Sequence, residues 1–274
     1  MIKGRDHLSE CSRQHTALSA FEEETSLEIP LNEGERIDDL QRNGLRIIQA
    51  IHGFRFGTDS VLLADYCAQH VGKRSADMGT GTGVLPLLIT ARNADVTFEA
   101  IELSEIMADM AARSVRLNGL ETRIHVHAAD IRHATDFLGY ERLDSVVTNP
   151  PYHPEGTGLT SPDKEIAMAR GGDNSCPIDE WIKACGRVLK TGGRLFSIYP
   201  ASRLLIISEA MQQCRIEPKR VRFVASRMQD TPKLVMIEGI KGGRPGLHIQ
   251  PVLFTHTENG EYSEEMRRIY GEPD

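Results

Sequence analysis

Short apolar stretches alternate with longer amphipathic ones along most of the chain after residue 73. The segments between the apolar stretches repeat hydrophobic residues at helical spacing, as Ile178, Trp181 and Ile182 do. Strands that alternate with helices in this way are typical of a parallel sheet whose crossover helices cover both faces. We therefore expect an α/β fold. The predicted strands are residues 75–78, 96–103, 124–128, 143–148, 194–199, 221–225 and 234–240.

Two details of this pattern concern the ends of elements. The last two predicted strands are separated by too few residues for a helical crossover, so they are expected to pair antiparallel. This gives a seven-stranded, mostly parallel sheet that ends in an antiparallel hairpin. Gly192-Gly193 is expected to end the helix that contains Trp181, and Ser104 to cap a helix in which Ile106 and Met110 share one face. A strand over 45–49 and a helix capped by Thr58 precede this series.

Residues 1–33 differ from the rest of the chain because they are polar and show no sustained apolar period. We predict an acidic, flexible extension over 1–33 and a single domain over 34–274. Residues 153–176 form the only large irregular insertion of that domain. The insertion is predicted either as a mobile lid over the functional site or as a plain surface loop.

Composition excludes several classes of protein. The chain has 274 residues, of which 40% are hydrophobic and 26% are charged, enough for a full core without disulfides or metals. No apolar stretch approaches the roughly 20 residues of a membrane span, and the N-terminus lacks the apolar segment of a secretory signal. The five cysteines are widely spread and form no Cys-x-x-Cys pair, which indicates free thiols and predicts no metal site. A cytoplasmic globular protein is expected.

The net charge of −7 is concentrated at one end of the chain. Residues 1–40 carry a net −6, so the remainder is nearly neutral. Within that remainder, residues 215–244 contain eight basic residues against Glu217, Asp230 and Glu238. This basic run predicts either a phosphate-binding strip or an ordinary solvated face, and the sequence leaves both open.

The segment from Asp77 to Gly83 places three glycines at every second position between a predicted strand and a predicted helix. Glycine is needed where the backbone turns tightly and where a ligand approaches it closely. The dinucleotide fingerprint requires a glycine at position 84, which is Val84, so a cofactor without a pyrophosphate is expected. Glu102 and Asp130 end the next two strands, and three acids at one sheet edge suit a nucleoside-type ligand with amine and hydroxyl donors. Glu102 by itself is equally consistent with a solvated strand end.

Asn149-Pro150-Pro151-Tyr152 closes the strand over 143–148. Two consecutive prolines cannot donate hydrogen bonds to a sheet, so the strand ends there with exposed carbonyls. The side-chain oxygen of Asn149 and the carbonyl of Pro150 are both acceptors, which suits a planar –NH₂ group with two donors. Tyr152 offers a flat face for the ring that carries this amine. A rigid turn without chemistry is the alternative interpretation.

Together the two motifs resemble the class I S-adenosylmethionine-dependent methyltransferases, in particular those that modify exocyclic amines with an Asn-Pro-Pro-Tyr tetrad. The resemblance implies a Rossmann-like sheet and S-adenosyl-L-methionine as the cofactor. It also implies that the glycine turn holds the cofactor, that the acid of the second strand holds its ribose and that the acid after the third contacts its adenine. The residues that match these positions are Asp77, Gly79, Gly81, Gly83, Glu102 and Asp130.

Further stretches narrow the resemblance to the bacterial tRNA adenine-N6 methyltransferases, which modify the adenine beside the anticodon of a valine tRNA. The resemblance implies the anticodon loop of a tRNA as the substrate, and Asp59 as a further cofactor-binding residue. The stretches that carry it are 36–41, 56–64, 149–152, 237–243 and 260–262.

The mechanism implied is a direct in-line methyl transfer with Asn149, Pro150, Pro151 and Tyr152 as the catalytic set. An adenine taken out of its stack lies on Tyr152, while Asn149 and Pro150 accept both N–H bonds of its amine. A protein glutamine-N5 methyltransferase with the same tetrad is the alternative enzyme, although residues 1–33 are too short for the N-terminal domain of that family. A non-catalytic protein that binds nucleotides or nucleic acid is the second alternative.

Overall fold

The computed structural model describes residues 29–52, 56–151 and 176–271. The chain divides into two units, Met1–Pro30 and Leu31–Asp274. Most of the predicted extension over 1–33 lies outside the described residues, as do residues 153–175 of the predicted lid. The boundary at 33/34 and the role of the insertion stay predictions.

A small antiparallel hairpin begins the described fold. Strand β1 (Glu35–Asp39) pairs with β2 (Arg46–Ala50), with Ile37 opposite Ile48, in a two-stranded sheet of its own. The strand predicted over 45–49 is therefore present, one residue later. Helix α1 (Thr58–Ala68) follows, but its cap residue is Gly57 and no side chain caps it, so the predicted cap at Thr58 is wrong.

The main body alternates strands and helices as the apolar pattern predicts. Its first half contains β3 (Arg74–Met78), α2 (Val84–Arg92), β4 (Thr97–Glu102), α3 (Glu105–Leu117), β5 (Ile124–Ala128), α4 (Ala134–Leu138) and β6 (Leu143–Thr148). Its second half contains α5 (Ile178–Val188), β7 (Leu189–Pro200), α6 (Leu204–Gln213), β8 (Ile216–Ala225), β9 (Leu234–Lys241), β10 (His248–Ile249), β11 (Leu253–Phe254) and α7 (Glu264–Tyr270). Short 3₁₀ turns over Ile131–His133 and Ala201–Arg203 precede α4 and α6.

The large sheet has the strand order β10-β8-β9-β7-β6-β3-β4-β5, and β11 also pairs with β8. Strand β9 runs antiparallel to both of its neighbours, and the other pairs are parallel. The expected mostly parallel α/β sheet with its antiparallel C-terminal hairpin is thus confirmed. The predicted number of seven strands is wrong, because in the described part of the chain the two-residue strands β10 and β11 also pair with β8 and the sheet has nine. The strand order reverses between β3 and β6, and ligands of such sheets bind at the carboxyl ends of the strands beside this reversal.

Helices cover both faces of the sheet, because the strands are apolar on both sides. Val147 of β6 packs in a cluster with α1 and α2, whereas its neighbour Val146 packs in a second cluster with α5 and α6. Successive side chains of a strand point to opposite faces, so a sheet covered on both sides needs such continuous apolar runs. None of the helices in the described ranges combines the length and the apolar character needed to cross a membrane.

The predicted end of one helix is wrong, and the predicted cap of another is confirmed. Helix α5 ends at Val188 and not at Gly192-Gly193. The ammonium group of Lys241 donates to the carbonyls of Gly186 and Leu189 at 2.8 Å each, which satisfies the helix end before the chain enters β7. In α3 the predicted cap is present, since Ser104 accepts a hydrogen bond from the Met107 backbone.

The apolar face predicted for α3 is displaced. Met110 is buried, as expected, but Ile106 is 72% exposed. The buried side of α3 contains Met110 together with Met107, Ala111 and Ser114. Met107, and not Ile106, therefore lies on the buried face one turn before Met110 and Ala111.

Candidate active site

The glycine turn after β3 has the backbone conformation that only glycine adopts at low cost. Gly79, Gly81 and Gly83 have φ values of +78°, +59° and +91°. The backbone N–H groups of Gly79 and Thr80 both donate to the carbonyl of Ile101 at 2.9 Å, which ties the turn to the end of β4. The predicted tight turn between β3 and α2 is therefore present.

Trp181 of α5 closes one side of this turn, a role that the sequence did not reveal. A Cβ atom on Gly79 would lie 2.8 Å from two atoms of the Trp181 ring. The indole N–H donates to the Thr148 hydroxyl at 2.8 Å, and that hydroxyl donates to the carbonyl of Met78 at 2.7 Å. These bonds join α5, β6 and β3 at the reversal of the strand order. The only signal was that Trp181 is the single tryptophan of the chain.

Asp77, the last acid before the turn, is fully buried, and neither of its carboxylate oxygens has a hydrogen-bond partner among the described residues. Burial raises its pKa to about 7, and the charge of Glu102 adds to this rise. Within the same described ranges, the buried hydroxyls of Thr80 and Thr82 also have no partner. Buried acceptors without donors cost free energy, so this pocket of oxygens suits a ligand that brings ammonium or hydroxyl donors.

Glu102 and Asp130 end β4 and follow β5, next to Asp77 at the same sheet edge as predicted. Glu102 is buried, and its two oxygens accept the backbone N–H groups of Gly81 and Ser104 at 2.9 Å each. It therefore links the glycine turn to the start of α3 and is not a solvated strand end.

Asp130 has a different neighbourhood. It accepts the backbone N–H of Arg132 at 2.8 Å and pairs with the guanidinium of the same residue. This guanidinium holds the pKa of Asp130 below its ordinary value. The structure thus brings the three acids to adjacent strand ends, while the ribose and adenine contacts implied for Glu102 and Asp130 stay predictions.

Asn149 follows β6, on the other side of the strand-order reversal from the glycine turn. Its side-chain nitrogen donates to a carboxylate oxygen of Asp59 at 2.8 Å and to the hydroxyl of Ser60 at 3.4 Å. Because a carboxylate only accepts, this contact assigns the two ends of the amide and makes its oxygen the end that faces away from Asp59. The orientation of the Asn149 amide is therefore set by two residues of α1.

The remaining predicted residues divide into two groups. Pro150 is buried and Pro151 half-buried directly after Asn149, whereas Tyr152 lies outside the described residues. Asp59, expected to bind the cofactor, lies against Asn149, and its cofactor contact stays a prediction. Sequence reasoning missed Ser60, whose hydroxyl becomes recognisable as part of the site only through its contact with Asn149.

Known proteins that are similar to this chain are methyltransferases. The methyltransferase small domain family matches residues 54–224, more than half of the chain. A tRNA1(Val) (adenine(37)-N6)-methyltransferase of Porphyromonas gingivalis is 27% identical over 224 residues, covering 78% of this chain and 86% of the relative. An enzyme of the same name from Bacteroides thetaiotaomicron is 29% identical over 219 residues, covering 78% and 88%.

Solved structures share the fold. A predicted O-methyltransferase from Agrobacterium tumefaciens superposes with a TM-score of 0.63 at 23% identity, covering 78% of this chain and 96% of that one. A 16S rRNA N2 methyltransferase from T. thermophilus, in complex with AdoMet and guanosine, gives a TM-score of 0.52 at 15% identity, covering 78% and 52%. These likenesses confirm the expected Rossmann-like architecture.

Proposed function

This chain belongs to the methyltransferase small domain family, and from that membership we propose that it methylates the N6 amine of an adenine in tRNA. The relatives named above support tRNA as the substrate class. The observation that carries the proposal is the hydrogen bond from Asn149 to Asp59, which directs the amide nitrogen toward α1. We assign the amide oxygen at the other end of this side chain, and the carbonyl of the next residue, Pro150, as the two acceptors of the amine.

S-adenosylmethionine fits the residues at the glycine turn. Among the described residues the buried carboxylate of Asp77 has no hydrogen-bond partner, so it suits the ammonium group of this cofactor. Glu102 and Asp130, at the ends of the next two strands, suit its ribose and adenine. The left-handed glycines allow a close approach to the backbone. When bound, this cofactor supplies an electrophilic methyl group.

The residues directly after β6 hold the adenine amine that receives the methyl group. The oxygen of Asn149 and the carbonyl of Pro150 each accept one N–H of the adenine amine, which draws the nitrogen lone pair out of conjugation with the ring. Asp59 holds the Asn149 amide in the required orientation, so little reorganisation accompanies the reaction. Tyr152 is proposed to stack on the adenine. The amine loses its proton only after methylation, and no ionised base at this nitrogen is required beforehand.

A methyl-transfer assay tests the proposal. The full chain is incubated with labelled S-adenosylmethionine and an unmodified valine tRNA transcript, and the digested nucleosides are analysed by mass spectrometry. We expect N6-methyladenosine. Methylation of glutamine amides in a protein substrate, with none in the tRNA, would establish the alternative enzyme. Binding without any transfer would indicate a non-catalytic protein.

Substitution of Asn149 by alanine tests the assigned chemistry. Asn149→Ala removes one of the two amine acceptors but no group of the glycine turn, so we expect loss of methyl transfer and nearly unchanged affinity for S-adenosylmethionine. Calorimetric titration of the cofactor and the labelled assay measure the two quantities separately. Equal losses in both would contradict the role given to Asn149.

A further inference from the structure

Three aromatic rings lie together near the C-terminus. The ring centroids of His256 and Tyr262 are 5.2 Å apart, and those of Tyr262 and Tyr270 are 5.4 Å apart. Tyr262, the middle ring, remains 39% exposed. These three residues, called the aromatic ladder here, keep an aromatic surface open to solvent although no reaction assigned above uses it.

The aromatic ladder adjoins the candidate active site. The Tyr270 hydroxyl donates to the Thr58 hydroxyl at 3.4 Å, and the next residue, Asp59, holds the amide of Asn149. At the other end, the backbone N–H of His256 donates to the carbonyl of Ser226, directly after β8. Strands β8 and β6 run in the same direction, so both ends of the ladder lie at the carboxyl edge of the sheet.

Contacts of α7 hold the ladder in place without any ligand. Arg42 and Arg92 donate to the carbonyl of Ile269 at 2.5 and 3.0 Å, which satisfies the end of the helix just before Tyr270. Arg222 of β8 forms a bidentate pair with Glu265 at 2.7 and 2.8 Å. A surface held in this way loses little conformational entropy when a partner binds.

A cation lies beside the ladder. The guanidinium of Arg227 reaches Gly260, where a Cβ atom would be 3.6 Å from its nitrogen. Arg227 is exposed, and no carboxylate lies within salt-bridge distance of it in the described part of the chain. By contrast, Arg220 and Arg222 of the same basic run pair with acids. The Arg227 charge is therefore available to an anionic partner.

We propose that the aromatic ladder and Arg227 bind the single-stranded nucleotide next to the target adenine. The inference rests on the proposed function. Taking the target adenine out of its stack leaves the neighbouring base without its stacking partner, and exposed aromatic rings replace that partner in single-stranded nucleic-acid sites. The guanidinium of Arg227 pairs with a phosphate of the same nucleotide. The subsite therefore recognises a stacked base and its backbone phosphate, whatever the identity of that base.

Steady-state kinetics with the valine tRNA transcript test the subsite. Tyr262→Ala is expected to raise KM for the tRNA about tenfold, with kcat and KM for S-adenosylmethionine unchanged. Tyr262→Phe retains the ring and should behave as the wild type. Tyr140→Ala is the matched control, because Tyr140 is 65% exposed but precedes β6 at the opposite edge of the sheet. Arg227→Ala should weaken tRNA binding and reduce its salt dependence, whereas Arg116→Ala, at the far end of α3, should not.

A fluorescent probe separates stacking from folding effects. An anticodon stem-loop RNA carrying 2-aminopurine beside the target adenine should be quenched by the wild type and by Tyr262→Phe, but not by Tyr262→Ala. The subsite is overturned if Tyr262→Ala retains quenching and KM while the wild type methylates the tRNA. It is also overturned if Tyr262→Ala lowers the melting temperature and kcat without changing KM. A wild type that methylates no tRNA would overturn the proposed function itself, and the subsite with it.

Discussion

At the scale of single residues, the buried carboxyl group of Asp77 contributes a pH dependence to the stability of the ligand-free protein. Its pKa is raised from the ordinary 3.8 to about 7, chiefly by burial. The folded state therefore binds this proton more tightly than the unfolded state does. The resulting stabilisation is fully present below about pH 4 and is lost as the pH rises through about 7.

Asp77→Asn should remove this pH dependence, because an amide in the same position has no charge to bury. We expect the free energy of unfolding of the ligand-free wild type to decrease between about pH 5 and about pH 8, and that of the variant to decrease less. Urea unfolding across this range measures both slopes. Parallel slopes would show that Asp77 titrates normally in the folded state.

The pair Asp59 and Asn149 makes a second residue-scale prediction. Asp59→Asn removes the acceptor that orients the Asn149 amide, and a misplaced acceptor lowers kcat on the order of 100-fold. Asp65→Asn is the matched control, since Asp65 is an acid of the same helix that lies beside Arg92. A rise in KM for S-adenosylmethionine with kcat preserved would instead support the cofactor-binding role that the resemblance implies for Asp59.

At the scale of elements, the contact between Gly79 and Trp181 connects the glycine turn to α5. Gly79 and Gly192 have the same φ of +78°, but only Gly79 faces a side chain, the Trp181 ring. Comparing these two glycines separates the cost of backbone conformation from that of steric contact.

Alanine substitutions at the two glycines should therefore differ. Gly192→Ala is expected to lower the free energy of unfolding by about 1 kcal/mol through its backbone conformation alone. Gly79→Ala should cost roughly 1–3 kcal/mol more, because its Cβ overlaps the Trp181 ring. Thermal unfolding of both variants measures the difference. Equal costs would mean that Trp181 moves aside without penalty.

Several residues of the basic run over 215–244 form ion pairs with acids of neighbouring elements. Arg220 pairs with Glu238, Arg222 with Glu265 and Lys241 with Glu141. These ion pairs connect β8 and β9 to each other and to neighbouring elements. The basic run is therefore neither a continuous phosphate-binding strip nor a uniformly solvated face. Arg227 and Lys233, in the β8–β9 connection, lie at the carboxyl edge near the candidate site.

At the scale of the whole molecule, both hydrophobic clusters belong to the unit Leu31–Asp274. The candidate site residues also belong to this unit. A chain that begins at Leu31 should therefore melt within about 2 °C of the full chain and retain methyl transfer. Scanning calorimetry and the labelled assay check this. A decrease of more than about 5 °C would show that residues 1–30 stabilise the fold.

The sequence predicted the central strands and helices and the motifs at their ends, because both are encoded locally. It did not predict the short elements β1, α4, β10, β11 and α7, which contain too few residues to show a clear apolar period. Apolar periodicity distinguishes strands from helices, and glycine or proline marks where each must turn. The glycine turn, the three acids and Asn149-Pro150-Pro151 accordingly lie where the pattern placed them. Local encoding also explains the errors at Thr58, Ile106 and Gly192-Gly193, where packing shifted a cap, a face or a helix end.

Only the tertiary structure decided which side chains meet. Asn149 meets Asp59, Thr148 meets Trp181, and Tyr270 meets Thr58. Each of these contacts joins residues far apart in the chain, so periodicity contains no information about it. The sequence by itself determined a methyltransferase-like sheet and its strand-end motifs. The orientation of the Asn149 amide and the aromatic ladder beside it depend on long-range packing, which brings separate strands and helices to one edge.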